Sequence, residues 1–316
     1  MASLRSSGVI VTSLIDYRLP EHRRDGFKLY YRNAVLTGDL DPMFALIRDW
    51  PSDFEHKVWL AFLYSCCLGH AGTTFAVASL PMDSLADWAG SHFNPLPWKM
   101  TDHDYTQTKR KAAALVGLIE SYRSLLAGRT QAEWLESLIE DDPGGCSSGD
   151  PGRTFRNVYQ AICSIKGVGR FCGLDFCEVL ARSLGLPLAC FDPNLLIRAP
   201  HPRAGLAKVL GLDPTSGEDV LNLGLQALMN EIPGSDIMSM ETVCCSYKNL
   251  CKGKRYTGYY IDDTADQLTS AEEWAALAVP GFDWVKLWDI FRVNFPNAAP
   301  NIQTARLRLF LETGCL

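Results

Sequence analysis

The sequence has no long hydrophobic run and no excess of positive charge, and both absences exclude classes of protein. No apolar stretch among the 316 residues approaches the roughly 20 residues that a membrane-spanning helix requires. The N-terminal segment has Arg5 and only a short apolar patch, a pattern too weak for a signal peptide. The net charge of −6 argues against a protein that coats nucleic acid by bulk charge, so any contact with DNA must be local.

Three common functional patterns are also missing. The 11 cysteines are scattered rather than spaced as a disulfide framework, which favours a reduced, cytoplasmic setting. The six histidines include no HxxxH or comparable pair, so no zinc site is predicted. No P-loop is present, so the chain is not a kinase of that type. We expect neither a metal nor a cofactor.

Helical periodicity dominates what is present, and we predict a mostly α protein. The predicted helices lie at 54–71, 108–128, 131–140, 154–165, 216–232, 270–280, 282–295 and 304–314. Ser270 and Glu273 have the spacing of a capping box at the start of one of them. The segment 257–263 is predicted to be a strand or an extended loop, and 141–152 has the Gly, Ser, Pro and Asp content of a linker.

A glycine turn separates two of the helical stretches. Lys166-Gly167-Val168-Gly169-Arg170 has two glycines one residue apart, which permit a tight turn with positive φ. Free backbone N–H groups at the start of the following helix can bind a phosphate oxygen, and Lys166 and Arg170 add positive charge. A plain corner between two helices is the alternative. A dinucleotide fingerprint is excluded, because no strand precedes the turn and the third glycine is missing.

The residues after this turn resemble the helix–hairpin–helix DNA glycosylase superfamily. In that superfamily a Gly-Val-Gly hairpin precedes a helix, and a following apolar turn carries a catalytic aspartate. The matching residue is Asp192 in ACFDPNLLIR, at close to the expected interval after Arg170. Bifunctional members have a nucleophilic lysine after the hairpin, where this sequence has Phe171, so lyase chemistry is not expected. Asp192 is alternatively a helix N-cap.

The N-terminal half resembles a different group, the bacteriophage amino acid:DNA transferases, also called α-glutamyl/putrescinyl thymine pyrophosphorylases. The resemblance covers roughly residues 28–260 and is most specific in two blocks. One is Arg32-Asn33 followed by Gly-Asp-Leu-Asp-Pro at 38–42, and the other is Trp-Leu-Ala-Phe-Leu-Tyr at 59–64. The family is remotely related to the helix–hairpin–helix glycosylases, so both resemblances imply one two-lobed, glycosylase-like helical fold.

The resemblance implies a reaction on a base already within double-stranded DNA. A kinase first phosphorylates 5-hydroxymethyluracil, and the transferase then replaces the phosphate or pyrophosphate with an amino acid, glycine being favoured, or another amine. A carboxylate must accept the proton of the amine. Cationic side chains must neutralise the leaving group and the carboxylate of the amino acid. The base must be extruded from the duplex to be reached.

Candidate residues for these roles come from three parts of the chain. Asp192 is the first choice for the base, or for stabilising an ionised, methide-like intermediate. Arg32 and Asp41 belong to the first family-like block, although Asp41-Pro42 also fits the start of a helix. Asp102 and Lys109 are chosen because they lie in a further family-like block, and acids there also suit a helix N-terminus.

The segment 244–260 is rich in cysteine, lysine and tyrosine. Cys244, Cys245 and Cys251 resemble part of a metal or iron–sulfur site, but a suitably placed fourth ligand is missing. The preferred interpretation is a phosphate-binding or DNA-binding stretch, in which basic residues alternate with tyrosines. Its basic members are Lys252, Lys254 and Arg255, together with Lys248. A solvated charged loop is the alternative.

We therefore expect an N-terminal helical lobe over 1–153 and a second part over 154–316. The latter would contain the helix–hairpin–helix lobe at about 154–230 and the C-terminal helices, and together they would form one catalytic unit. The DNA-binding residues would be Lys166, Gly167, Gly169, Arg170, Lys252, Lys254 and Arg255. Two other functions stay open: a monofunctional glycosylase that uses Asp192 to activate water, and a non-catalytic DNA-binding protein.

Overall fold

The computed structural model describes residues 15–80, 85, 112–140 and 150–313, and within these ranges the chain is helical without strands. The α-helices are α1 Arg23–Thr37, α2 Met43–Asp49, α3 Phe54–Phe62, α4 Ala71–Ala78, α5 Ala112–Leu126, α6 Gln131–Glu140, α7 Pro151–Cys163, α8 Arg170–Leu184, α9 Asn194–Ile197, α10 Pro200–Leu210, α11 Glu218–Asn230, α12 Ile237–Leu250, α13 Tyr259–Ala278, α14 Trp284–Asn294 and α15 Gln303–Thr313. The predicted mostly α fold is confirmed. No helix in the described ranges has the length and apolarity to span a bilayer.

Two local predictions are wrong, and both concern α13. The predicted strand or extended loop at 257–263 is the beginning of this helix, which starts after Gly258 with φ of 94°. Ser270 does not cap a helix, because it lies within α13 and its hydroxyl donates to the carbonyl of Asp266 at 2.9 Å. The spacing of a capping box therefore occurred by chance inside a helix of 20 residues.

The hydrophobic core draws on both halves of the chain. Phe27 and Leu60, from the N-terminal half, belong to the same buried cluster as Phe176 and Tyr247. Helix α1 packs against α12, and α2 and α3 pack against α8. The predicted division into lobes at 153/154 stays a prediction, and the two segments share one core.

Two helix pairs approach so closely that only glycine fits between them. A Cβ atom on Gly205 of α10 would lie 1.9 Å from the carbonyl oxygen of Cys244 on α12. A Cβ atom on Gly72 of α4 would lie 2.5 Å from the Cβ of Ala271 on α13. Because backbone or neighbouring Cβ atoms cannot move aside as a long side chain can, these contacts fix the positions of α12 and α13.

Asp39 links the turn after α1 to the start of α13. Its fully buried carboxyl accepts hydrogen bonds from the backbone N–H groups of Gly258 at 2.6 Å and Tyr260 at 2.9 Å. A longer bond of 3.3 Å comes from Ile261. Burial raises the pKa of Asp39 to about 7, although these N–H groups act in the opposite direction. Asp39 thus caps a helix whose preceding residue, Gly258, lies 219 positions later in the chain.

Replacing Asp39 with alanine should lower the free energy of unfolding by about 2–3 kcal/mol, because buried N–H donors would lose their acceptor. The matched control is Asp53→Ala, which removes an exposed cap that accepts from the His56 N–H at 2.9 Å. That change should cost only about 1 kcal/mol. Urea unfolding of both variants measures the difference, and equal losses would contradict the structural role given to Asp39.

Candidate active site

A cleft that gathers many charged side chains lies between α8 and α12 and has a volume of about 480 Å³. The loop before α2, the segment after α3, the start of α10 and the start of α13 complete its walls. Its polar and charged lining residues are Asp41, Tyr64, Arg170, Asp175, Glu178, His201, Glu241, Thr242, Lys248, Asn249, Lys252, Lys254, Arg255, Tyr260, Asp263, Thr264 and Gln267. Segments far apart in sequence therefore bring acidic and basic side chains to one cavity.

Four carboxyl groups lie in one part of this lining. Asp175 and Glu178 are on α8, Glu241 is on α12, and Asp41 precedes α2. Burial raises the pKa of Asp175 well above its ordinary value, and the nearby charge of Asp41 raises it further. The pKa of Glu178 is also raised, mainly by burial. Carboxyl groups forced out of water in this way are frequent in active sites.

Asp41 lies at the start of α2 and also lines the cleft. One carboxyl oxygen accepts the Met43 N–H at 2.8 Å, and the other accepts the Tyr64 hydroxyl at 2.9 Å. Burial raises the pKa of Asp41 to about 6, and these two hydrogen bonds only partly oppose the effect. A carboxyl with this pKa is ionised at neutral pH and still a better base than an ordinary aspartate.

Basic side chains line another part of the cleft. The Lys248 ammonium lies 2.8 Å from Nδ1 of His201, and burial lowers the pKa of both residues. Lys252 and Lys254 are exposed at the edge of the cleft. The arrangement offers an anion one partly buried ammonium group and two exposed ones.

Arg255 lies within the cleft wall rather than on an exposed strip. Its side chain is 1% exposed, hydrogen-bonds to the Tyr260 hydroxyl and lies 4.7 Å from the centre of the Tyr260 ring. Tyr247, Tyr256 and Tyr260 are buried as well, so these tyrosines pack inside the protein instead of forming a stacking surface. The predicted contact between Arg255 and DNA stays a prediction.

The Gly-Val-Gly turn joins α7 to α8 beside the cleft, which agrees with both a helix–hairpin–helix element and a plain corner between two helices. Gly167 has φ of 97°, which disfavours any residue with a Cβ atom. Lys166, Gly167 and Gly169 are exposed. Arg170 and Phe171, the first two residues of α8, line the cleft. The hairpin and the cleft are therefore adjacent, although the predicted contact with DNA is not tested by this geometry.

Arg170 connects three parts of the structure. Its guanidinium donates to a carboxyl oxygen of Glu241 at 2.8 Å and to the carbonyl of Leu195 at 2.7 Å. Glu241 is 3% exposed, and burial raises its pKa while Arg170 lowers it. This arginine, predicted to bind DNA, thus holds α8, α9 and α12 together.

Asp192 and Arg32 lie outside the lining of this cleft. Asp192 is exposed, and its carboxyl accepts the Asn194 N–H at 2.9 Å at the start of α9. Arg32 is exposed on α1. Asp102 and Lys109 fall outside the described residues. The catalytic roles of all four stay predictions.

The cysteines near the cleft form no disulfide among the described residues. Cys244 is buried within α12, while Cys245 and Cys251 are partly buried. Over the described ranges, no group of three or more His, Cys, Asp or Glu side chains is arranged to hold a metal ion.

The sequence interpretation missed the acids of α8 and α12. Asp175 and Glu178 are three residues apart in FCGLDFCEVL, at positions that helical periodicity assigns to one face. Acids on an otherwise apolar helix face are a recognisable signal for a buried polar site. Glu241 has no such signal, because only the fold brings α12 against Arg170.

Replacing Arg170 with alanine should lower the free energy of unfolding by about 2–3 kcal/mol near pH 8, since Glu241 would remain buried without its partner. The loss should be smaller near pH 5. In this variant the pKa of Glu241 rises further above its unfolded value of about 4.3, so stability falls as pH rises between the two values.

The control for this variant is Arg198→Ala, which breaks an exposed ion pair with Glu218 at 3.1 Å. That pair should contribute less than about 1 kcal/mol. Urea unfolding at both pH values measures both variants. A loss for Arg170→Ala no larger than the control, or independent of pH, would contradict the structural role of Arg170.

Comparison with known proteins agrees with the family resemblance of the sequence. A relative described as a serinyltransferase, from Salmonella phage ViI, is 23% identical over 95% of this chain and 83% of its own length. No solved structure matches the chain, so the glycosylase-like character of the fold stays a prediction. The profile of the family described as "Amino acid:DNA transferase" matches residues 35–256, well over half of the chain. The chain belongs to the amino acid:DNA transferase family.

Proposed function

We propose that the protein transfers an amino acid onto the 5-methylene carbon of phosphorylated 5-hydroxymethyluracil in phage DNA. Membership of the amino acid:DNA transferase family supports transfer of an amino acid onto DNA. The observation that carries the finer proposal is the cleft, in which carboxyl groups of raised pKa accompany buried and exposed lysines beside the hairpin. The amino acid has an amine and a carboxylate, and the target base has a phosphate. Together these groups require both acidic and basic side chains in the cleft.

The proposed reaction is a substitution at carbon. The nitrogen lone pair of the neutral amine forms a C–N bond to the 5-methylene, and the C–O bond to phosphate or pyrophosphate breaks with its electrons on oxygen. One proton leaves the amine. The protein must supply an acceptor for this proton and positive charge for the departing group.

Asp41 is our first choice for the proton acceptor. It lines the cleft, and its pKa of about 6 leaves it ionised at neutral pH. Asp192 stays the alternative, through the glycosylase resemblance of its turn. The two residues share one local geometry, since each precedes a proline and accepts the N–H two positions later. Only their surroundings differ.

Lys248 suits the departing phosphate or the carboxylate of the amino acid. Its ammonium is next to His201, and the proton donors that it does not use there remain available to a second acceptor. Lys252 and Lys254, at the edge of the cleft, suit the DNA backbone, as do Lys166 and the exposed glycines of the hairpin. The target base would be extruded from the duplex to reach the cleft.

Glycine is the amino acid that the sequence interpretation favours, and serine is the second candidate. The relative from Salmonella phage ViI is described as a serinyltransferase. Both amino acids have a primary amine and a carboxylate, so the same charges in the cleft serve either one.

The transfer is tested by incubating duplex DNA that contains 5-phosphomethyluracil with the protein and a pool of common amino acids plus putrescine. Mass spectrometry of the digested nucleosides should detect a thymidine derivative extended by one amino acid. Asp41→Asn should lower the rate by at least about 100-fold, because the amide cannot accept the proton.

Asp192→Asn is the matched control, because asparagine preserves the same turn at both positions. Loss of product only in Asp192→Asn would transfer the role of base to that turn. Free base in the supernatant would indicate a glycosylase instead. Unchanged nucleosides with bound DNA would favour a non-catalytic DNA-binding protein.

The contacts with the DNA backbone are tested by the salt dependence of binding. Alanine at Lys166, Lys252 or Lys254 should each reduce the slope of log affinity against log salt by about 1, since each phosphate contact releases a counterion. Lys286→Ala, an exposed lysine on α14 outside the cleft lining, is the control. Fluorescence anisotropy over a salt series measures the slopes, and unchanged slopes would remove these lysines from the interface.

A further inference from the structure

Glu178 is a buried carboxyl group of the cleft whose hydrogen bonding to the described residues is incomplete. Its side chain is 3% exposed, yet it lines the cleft. Among the described residues, the Oε1 atom has no hydrogen-bond partner, and Oε2 accepts a long bond of 3.4 Å from the Thr242 hydroxyl. Leaving a buried carboxyl oxygen without a donor is unfavourable, so the site favours a ligand that donates there.

Arg182 does not fill this need. Its Nε atom lies 3.7 Å from Glu178 Oε1, which is an ion pair without a hydrogen bond. The guanidinium is directed instead to Asp236 and Ser239, at the start of α12. Glu178 therefore shares its cationic neighbour with a second carboxylate.

The surroundings of Glu178 favour a positively charged ligand. Asp175, Asp236 and Glu241 interact electrostatically with it and all oppose its ionisation, as does burial, while Arg182 favours it. A cation placed in the cleft would relieve this repulsion. An ammonium group brings three N–H donors as well as the charge.

We propose that Glu178 binds the ammonium group of the incoming amino acid. The Thr242 hydroxyl orients the side-chain carboxyl group of Glu178 for this contact. This inference rests on the proposed transfer reaction and adds to it the site that recognises the amine. Asp41 and Glu178 line the same cleft, so an ammonium group bound by Glu178 shares that cavity with the proposed base. The bound ammonium loses one proton to Asp41, the resulting neutral amine attacks the 5-methylene carbon, and the product nitrogen remains a secondary ammonium ion.

Glu178→Gln tests the inference with a side chain of nearly the same shape but no charge. Isothermal titration with glycine and with serine should give a dissociation constant at least about tenfold higher than for the wild type. In the transfer assay KM for the amino acid should rise by a similar factor. The kcat at saturating amino acid and the affinity for DNA should change little. Thr242→Val, which removes the hydroxyl that orients Glu178, should raise KM by a smaller factor.

Asp236→Asn is the control for an indirect effect through Arg182. Asparagine can still accept the Ser239 N–H bond at the start of α12, while the charge beside Arg182 is lost. If this variant raised KM as much as Glu178→Gln, the effect would be structural and the inference would fail. An unchanged KM in Glu178→Gln would overturn the inference alone, because product would still form. A wild-type protein that neither binds an amino acid nor forms product would overturn the proposed function as well.

Discussion

The ion pair between Arg170 and Glu241 is the interaction on which the site depends. It connects Arg170, at the start of α8, to α12 on the opposite wall of the cleft. A second hydrogen bond joins the guanidinium of Arg170 to the carbonyl of Leu195 in α9. Without the guanidinium, Glu241 would be a buried carboxyl among other carboxyls, and α8 and α12 would repel each other at this point. A contact of the hairpin with DNA would therefore act on the helix that carries Asp175 and Glu178.

A cluster of carboxyls in a cleft opposes folding, and its presence is a reason to assign it a function. Burial raises the pKa values of Asp41, Asp175 and Glu178, so ionising these groups in the folded protein costs free energy. The neighbouring lysines are arranged for an anion and not for these acids, since Lys248 is next to His201. A ligand with a positive group and a negative group, such as an amino acid, complements both parts of the cleft.

The sequence predicted the helical class of the fold, because that signal is local, but it predicted the individual helices and the site only in part. Periodicity located about half of the helices in the described residues and missed α1, α8 and α12, while two glycines located the hairpin. The prediction of a strand or extended loop at the start of α13 was wrong, because the cap of this helix, Asp39, is far away in sequence. The site is harder to predict from sequence than the helices, as Asp41-Pro42 and Asp192-Pro193 show. Both form the same turn, and no local pattern reveals that Asp41 lines the cleft while Asp192 is exposed. Family resemblance supplied the reaction class, and only the fold brings Glu178, Glu241 and Lys248 together.

The most direct test of the proposed reaction is the pH dependence of kcat/KM for transfer, because it identifies the carboxyl group that accepts the proton of the amine. The kcat/KM of the wild-type protein should rise with pH through an apparent pKa of about 6, the value of Asp41, since only the ionised carboxylate can act as the base. The residual activity of Asp41→Asn should lack this rise, whereas Asp192→Asn should retain it. If the rise persists in Asp41→Asn and disappears in Asp192→Asn, the reaction does not use the carboxyl groups of the cleft as proposed, and the turn at Asp192 contains the base.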